Sequence, residues 1–242
     1  MLALRYGAAT DVGLVRDHNE DSMWVSPQLF VVADGMGGHA AGEVASDLAV
    51  SEFSYIAKIA PLQDSDITAA FQRANDHILA ASIRGDRFGM GTTLTGLAVV
   101  SADSGDQWAV FNVGDSRVYR FAEGTLRQLT IDHSEVQELI AAGQLARSQA
   151  RYYPRRNVVT RSLGTLPAPV PDIWLLPPEA GERFLLCSDG LTGELDDDAI
   201  ATILGEIADP RQAAEELVRQ ANEAGGRDNT TVVIVDLPAH SE

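Results

Sequence analysis

Two apolar, strand-like runs each end in an aspartate followed by a glycine: Phe30-Val31-Val32-Ala33-Asp34-Gly35 and Phe184-Leu185-Leu186-Cys187-Ser188-Asp189-Gly190. Short continuous apolar runs bounded by turn residues read as buried strands, so each delivers one carboxylate out of a hydrophobic interior. A third aspartate, Asp228, sits in Gly225-Gly226-Arg227-Asp228-Asn229-Thr230-Thr231, which opens the apolar run 232–235. In an antiparallel sheet the exit of one strand lies beside the entry of its neighbour, which places Asp34, Asp189 and Asp228 at one sheet edge. Carboxylates gathered there repel one another and take up protons, whereas a divalent cation inverts that preference. Mg²⁺ and Mn²⁺ take oxygen ligands and are held by a few carboxylates rather than a full cage. The cluster therefore reads as a site for such ions.

Any single Asp-Gly is equally a hairpin turn, because both residues tolerate positive φ. Asp103-Ser104-Gly105-Asp106 reads that way, and Gly114-Asp115-Ser116-Arg117 after the apolar run 108–113 is open to the same reading. The order of the motifs carries more information than any one of them. Arg16-x-x-Asn19-Glu20-Asp21 comes first, then Val32-Ala33-Asp34-Gly35-Met36-Gly37-Gly38-His39 with Gly42-Glu43, then Gly89-Met90-Gly91-Thr92-Thr93. Gly114-Asp115-Ser116-Arg117, Ser188-Asp189-Gly190-Leu191 and Arg227-Asp228-Asn229-Thr230-Thr231 follow. In this order, spanning nearly the whole chain, they resemble the metal-dependent PPM/PP2C protein phosphatases in their bacterial form.

The resemblance implies hydrolysis of phosphoserine and phosphothreonine in proteins, by a water bridging two metals, in opposition to bacterial Ser/Thr kinases. It implies that Asp34 bridges two Mg²⁺ or Mn²⁺ ions, that the Gly35 carbonyl helps bind one, and that Asp189 and Asp228 bind the other. Glu20 and Asp21 would orient metal-bound water, as outer-shell partners do. Arg16 would clamp the phosphate, because a guanidinium offers a planar fork to two oxygens. A third ion would use Asp115 with Asp189, but the eukaryotic acidic ligand position is Gly193 here, with Glu194 beside it. The eukaryotic general-acid histidine falls at Met36, while an imidazole stands at His39. His39 reads either as that acid or as a structural residue at a helix start.

Lys plus Arg number 18 against 35 Asp plus Glu, a formal charge of −17, which disfavours nucleic acid and anionic membranes as partners and favours basic protein surfaces. Against that background Arg147, Arg151, Arg155 and Arg156, with Tyr152-Tyr153-Pro154, form a local basic patch. It reads as a solvated loop or, by the resemblance, as a mobile flap in which Arg147 and Arg151 meet the phosphorylated substrate. The single Cys187 excludes an intramolecular disulfide and suits a reducing cytoplasm. The first residues are too soon interrupted by Arg5 for a signal peptide, and no run of 18 or more apolar residues occurs. A cytoplasmic monomer is expected, or the soluble cytoplasmic part of a longer membrane-tethered protein.

Ile67, Phe71, Ala74 and Ile78 follow helical spacing, as do Ala214, Leu217, Val218 and Ala221 behind Asp209-Pro210, with Gln212 as capping-box partner. A further helix is expected over 41–59 and a short one over 135–142. Strands are expected over 92–100, 108–113, 117–121, 126–129, 174–176, 183–187 and 231–235, with a hairpin turn at Glu123-Gly124. Helices early and late with strands grouped between them make the chain α+β. The resemblance makes it a four-layer αββα sandwich, two antiparallel sheets flanked by helices, in a single domain over 1–242. Two rivals have distinct signatures. Gly35-Met36-Gly37-Gly38-His39-Ala40 matches a dinucleotide-binding G-x-G-x-x-A, which needs a parallel βαβ unit. A catalytically inactive phosphoprotein-binding module of the same fold would lack Arg16 or the aspartates.

Overall fold

The structure, a computed structural model, describes residues 2–37, 41–59, 61–85, 89–102 and 105–239. The chain runs β1 (Arg5–Asp11), β2 (Asp21–Val25), β3 (Leu29–Met36), α1 (Ala41–Ile56), α2 (Asp64–Arg84), β4 (Gly91–Thr92), β5 (Leu94–Ala102) and β6 (Gly105–Val113). It continues through β7 (Arg117–Ala122), β8 (Thr125–Gln128), α3 (Glu135–Ala141), a 3₁₀ helix (Arg147–Tyr152), β9 (Asp172–Leu176) and β10 (Arg183–Cys187). It closes with α4 (Asp189–Glu194), α5 (Asp197–Glu206), α6 (Pro210–Ala224) and β11 (Thr230–Asp236).

One sheet has the order β1-β11-β10-β7-β8 and the other β2-β3-β5-β6-β9, with β4 beside β3. Every ladder is antiparallel. Because successive strand residues point to opposite faces, the central strands split their side chains between two cores. Phe30, Val32, Leu97, Trp108 and Val110 meet Val118, Phe184, Leu186, Val233 and Val235 between the sheets. The alternate residues Leu29, Val31 and Ala33 pack outward on Phe53, Phe71 and Ile78 of α1 and α2. On the other side Leu185, Cys187, Val232 and Ile234 pack on Ile203 of α5 and Leu217 of α6. With both faces covered, β3 and β10 bury successive apolar residues, which is why 30–33 and 184–187 read as unbroken runs.

The helices form where the spacing predicts. Ile67, Phe71, Ala74 and Ile78 are all buried along α2. Asp209 caps α6, its Oδ1 accepting from the amides of Arg211 at 3.1 Å and Gln212 at 3.0 Å, so the cap is made by the Asp209 side chain rather than by the reciprocal box. Helix α1 stops at Ile56 instead of 59: the amides of Lys58 and Ile59 turn to carbonyls only three residues back, Tyr55 at 3.2 Å and Ile56 at 2.9 Å, and Gln28 Nε2 takes the carbonyls of Ala57 and Ile59, at 3.0 and 2.8 Å. The run expected over 92–100 is broken at Thr93, whose amide turns to the Asp34 carbonyl at 2.9 Å. Glu123 and Gly124, at φ of 50° and 74°, make the β7–β8 turn. Ala102 pairs with Gly105 across the β5–β6 turn, of which residues 103 and 104 lie outside the described residues. Strands β1 and β2 and helices α4 and α5 carry no strong periodic signal, and the structure adds them.

The described strands form no parallel pair, so β3 and its glycines are not a dinucleotide-binding fingerprint. Among the described residues no helix is long and apolar enough to cross a membrane.

Candidate active site

Asp34 lies within β3, opposite Asp21 of β2, whereas Asp189 follows β10 and Asp228 precedes β11. These are different sheets. The expectation that the three carboxylates share one sheet edge is therefore corrected: they converge across the sandwich, at the end where β3 and β10 finish and β11 starts. Antiparallel neighbours explain Asp189 beside Asp228, but only sheet-on-sheet packing adds Asp34. Asp115 joins from the turn in which the chain crosses from β6 in one sheet to β7 in the other.

The loop between β1 and β2 brings Arg16, Glu20 and Asp21 to the same place, and Asn229 holds it there. Asn229 Nδ2 donates to the carbonyls of Val12 and His18, both at 2.9 Å, while its Oδ1 accepts from the Glu20 amide at 2.8 Å. The Glu20 carbonyl accepts in turn from the Gly35 amide at 3.1 Å and from Ser46 Oγ at 2.7 Å. Close backbone approach explains the glycines: a Cβ on Gly35 would fall 2.2 Å from the Gly42 carbonyl oxygen, and one on Gly42 would fall 2.7 Å from Glu20 Oε1. Arg16 Nη2 reaches Asp228 Oδ2 at 2.7 Å.

Ser188 Oγ donates to Asp21 Oδ2 at 2.7 Å and accepts from the Thr231 amide at 2.9 Å. The other oxygen of Asp21, Oδ1, is buried with no hydrogen-bond partner. Asp34 is locked through its backbone. Its amide donates to Thr93 Oγ1 at 3.0 Å and its carbonyl accepts from Thr92 Oγ1 at 2.9 Å. Thr93 Oγ1 and Ser116 Oγ lie 2.8 Å apart, tying Asp34 to the Asp115 turn.

The electrostatics follow from like charges in a protein-walled recess. Removal from water pushes the Asp21 carboxyl up to about 7, against the Ser188 and Thr231 hydrogen bonds and together with the charges of Asp189 and Asp228. Asp189 is pushed up to about 6, first by burial and then by Asp228, and it shares a hydrogen bond with Asp34. Asp34 and Asp115 also lie well above the ordinary carboxylate range, through burial and then the neighbouring carboxylates. Among the described residues no three His, Cys, Asp or Glu side chains approach as closely as the ligands of one bound ion. The donor set nevertheless fits hard divalent ions, being all oxygen and overloaded with negative charge. The buried Asp21 Oδ1, without a hydrogen-bond partner, is a further oxygen acceptor in a group coupled to Asp189 and Asp228.

Beside the carboxylates opens a cavity of about 460 Å³, lined by Asp115, Asp189 and Asp132 together with Arg147, Arg151 and Arg156. Arg117 also lines it, its Nε 3.0 Å from both oxygens of Asp132 and its Nη1 2.9 Å from the Tyr119 hydroxyl. The basic patch is thus neither plain loop nor uniformly free. Arg147 and Arg151 sit on the 3₁₀ helix, Arg151 Nη2 donates to the Glu194 carbonyl at 2.9 Å, and Arg155 pairs with Glu135 at 2.6 Å. His39 lies outside the described residues.

Thr92, Thr93, Ser188 and Asn229, polar residues inside the same motifs, also build the site. The available signal was a small polar residue interrupting an apolar run, since a buried hydroxyl or amide must find partners.

A family model described as protein phosphatase 2C matches residues 15–223. The serine/threonine protein phosphatase PstP of Mycobacterium tuberculosis is 38% identical over 239 residues, covering 98% of this chain and 45% of that protein, so the chain spans somewhat less than half its length. The serine/threonine phosphatase stp of Listeria monocytogenes is 39% identical, covering 94% of this chain and 93% of that protein. The crystal structure of the M. tuberculosis PstP phosphatase superimposes with a TM-score of 0.90 at 38% identity, covering 97% of this chain and 99% of that one. A PstP catalytic domain solved with two manganese ions gives 0.90 at 37% identity, covering 98% and 100%. With the motifs in order, the antiparallel sandwich and the carboxylates at its end all agreeing with these matches, the chain belongs to the protein phosphatase 2C family.

Proposed function

We propose that this chain is a single catalytic domain, over 1–242, of a Mg²⁺- or Mn²⁺-dependent protein phosphatase acting on phosphoserine and phosphothreonine. The observation that carries the reading is the convergence of Asp21, Asp34, Asp115, Asp189 and Asp228 from both sheets beside an arginine on an exposed loop. An inactive module of the same fold has no need of so costly a cluster.

Asp34, the Gly35 carbonyl, Asp189 and Asp228 would hold two ions, and Asp115 with Asp189 a third. When bound, Mg²⁺ or Mn²⁺ supplies a Lewis acid that neutralises phosphoryl oxygens and activates water as the nucleophile at neutral pH. The chain's own groups do the rest. Arg16 swings from Asp228 onto two phosphate oxygens, because its exposed side chain exchanges one oxyanion partner for another. Asp21 keeps one oxygen on Ser188 and turns the unsatisfied Oδ1 to accept from water, with Glu20 beside it. Arg147 and Arg151 frame the entrance for the phosphorylated segment, and His39 is the candidate proton donor to the leaving hydroxyl. Phosphorylated proteins made by Ser/Thr kinases are the proposed substrates of a monomer, and the buried thiol Cys187 suits a reducing cytoplasm.

The test is phosphate release from a phosphothreonine peptide with Mn²⁺, Mg²⁺ or EDTA. Turnover with either metal and none in EDTA is expected; absence of metal-dependent turnover would reject the reading.

A further inference from the structure

Glu194 ends α4 with its side chain only 4% exposed, although the arginine it binds is mostly in solvent. Its carboxylate takes the whole of Arg227: Oε1 accepts from the backbone amide at 3.1 Å and from Nε at 2.7 Å, and Oε2 accepts from Nη2 at 2.7 Å. A bidentate fork plus a backbone bond fixes both the side chain and the main chain of one residue. That residue immediately precedes Asp228. The Glu194 carbonyl, on the other side, accepts from Arg151 Nη2 of the 3₁₀ helix at 2.9 Å. The Arg227 hydrogen bond holds the Glu194 carboxyl below its ordinary range, so it is charged whenever the neighbouring carboxylates are.

We propose that Glu194 is a positioning residue that sets the Asp228 carboxylate through Arg227 and anchors the substrate-facing 3₁₀ helix through its own carbonyl. It touches neither metal nor substrate. The inference rests on the metal and substrate roles proposed above for Asp228 and Arg151. Its logic is geometric: one short helix, α4, begins with Asp189 and ends with Glu194, so its two ends address the two carboxylate loops and its last carbonyl addresses the flap. The position is adjacent to Gly193, where the eukaryotic pattern has an acidic ligand. Here the carboxylate one residue on has a structural partner instead.

Glu194→Gln keeps the size and removes the charge, and Mn²⁺ titration of the full chain by calorimetry reads the result without any turnover. Outer-shell losses of this kind weaken metal binding by roughly tenfold or more, and about that loss is expected. Arg227→Gln, made at an exposed side chain and hence compatible with folding, should give the same loss, and the double variant no more than either single one. If Glu194→Gln does not fold, Arg227→Gln alone decides. Unchanged Mn²⁺ affinity in a folded variant overturns the Asp228 half of the proposal. Arg151→Ala should raise KM for a phosphopeptide several-fold while leaving Mn²⁺ affinity at the wild-type value; an unchanged KM overturns the flap half. A wild type that binds Mn²⁺ but releases no phosphate would reject the phosphatase reading and leave the metal comparison to judge Glu194 independently.

Discussion

Arg16 donates through Nη2 to Asp228 Oδ2 at 2.7 Å, so the proposed phosphate clamp and a proposed metal ligand hold each other. With the two side chains 50% and 30% exposed, the pair is worth no more than about 1 kcal/mol. It is a weak contact that a phosphate on one side and a cation on the other can replace.

Arg16→Ala therefore lowers kcat/KM by about 10²–10³, the cost of losing one preorganised charge partner of the transition state. Mn²⁺ affinity stays equal or tightens, because Asp228 is released from its competitor. Parallel kinetics and calorimetry check both halves, and a weakened Mn²⁺ site would assign Arg16 a structural role instead.

Asp34→Asn removes the carboxylate that faces Asp21, Asp115, Asp189 and Asp228 together. Turnover is lost and divalent binding weakens, while folding is retained because the backbone bonds to Thr92 and Thr93 do not involve the side chain. Calorimetry showing wild-type Mn²⁺ binding would take Asp34 out of the metal site whatever the activity.

Metal removal exposes the repulsion within the cluster. Asp21 and Asp189 bind protons more tightly in the folded chain, up to about 7 and about 6, than the ordinary ~4 of an unfolded carboxyl. Folding without metal thus takes up protons. The contribution of these groups to stability is complete below about pH 4 and is lost as pH rises through about 6 to 7. In EDTA the melting temperature is expected to fall between pH 5 and pH 8, and saturating Mn²⁺ should reverse the fall. A melting temperature in EDTA that rises over that range would contradict the assignment.

The arginines beside the cavity do not contribute equally. Arg147, Arg151 and Arg156 all line the cavity, but Arg151 also donates to the Glu194 carbonyl and Arg155 is committed to Glu135. Replacing Arg147 and Arg156 with Ala should depress kcat/KM for phosphorylated proteins far more than for a small aryl phosphate, which has no surface to place there. Added salt should narrow the gap in the wild type, since exposed charges are screened within about 10 Å at 0.1 M. Equal losses on both substrates would mean that these residues shape the catalytic centre itself.

Much of the fold was legible because burial on two faces leaves a composition mark. Residues 30–33 and 184–187 are apolar at successive positions since one set meets the opposite sheet and the other meets a helix. Helix α2 was readable from Ile67 to Ile78 because burial on one face alone leaves an apolar stripe at helical spacing. Strand β2 was not: all its residues are half-buried on a sheet edge, and an edge imposes no clean alternation.

What the sequence alone determined is the chemistry available: which aspartates end apolar strands, that Arg16 precedes Asn19-Glu20-Asp21, and that the motifs stand in the order of the family. Only the tertiary structure decided that Asp34 comes from one sheet and Asp189 and Asp228 from the other. It alone decided that Asn229 clasps the Arg16 loop across more than two hundred residues of chain, and that Glu194 binds Arg227 rather than facing the cluster. Residue types and strand periods are local properties, written in neighbouring positions. Sheet-on-sheet packing and the choice of partner for a buried polar group arise from contacts between distant segments, and no local pattern records them.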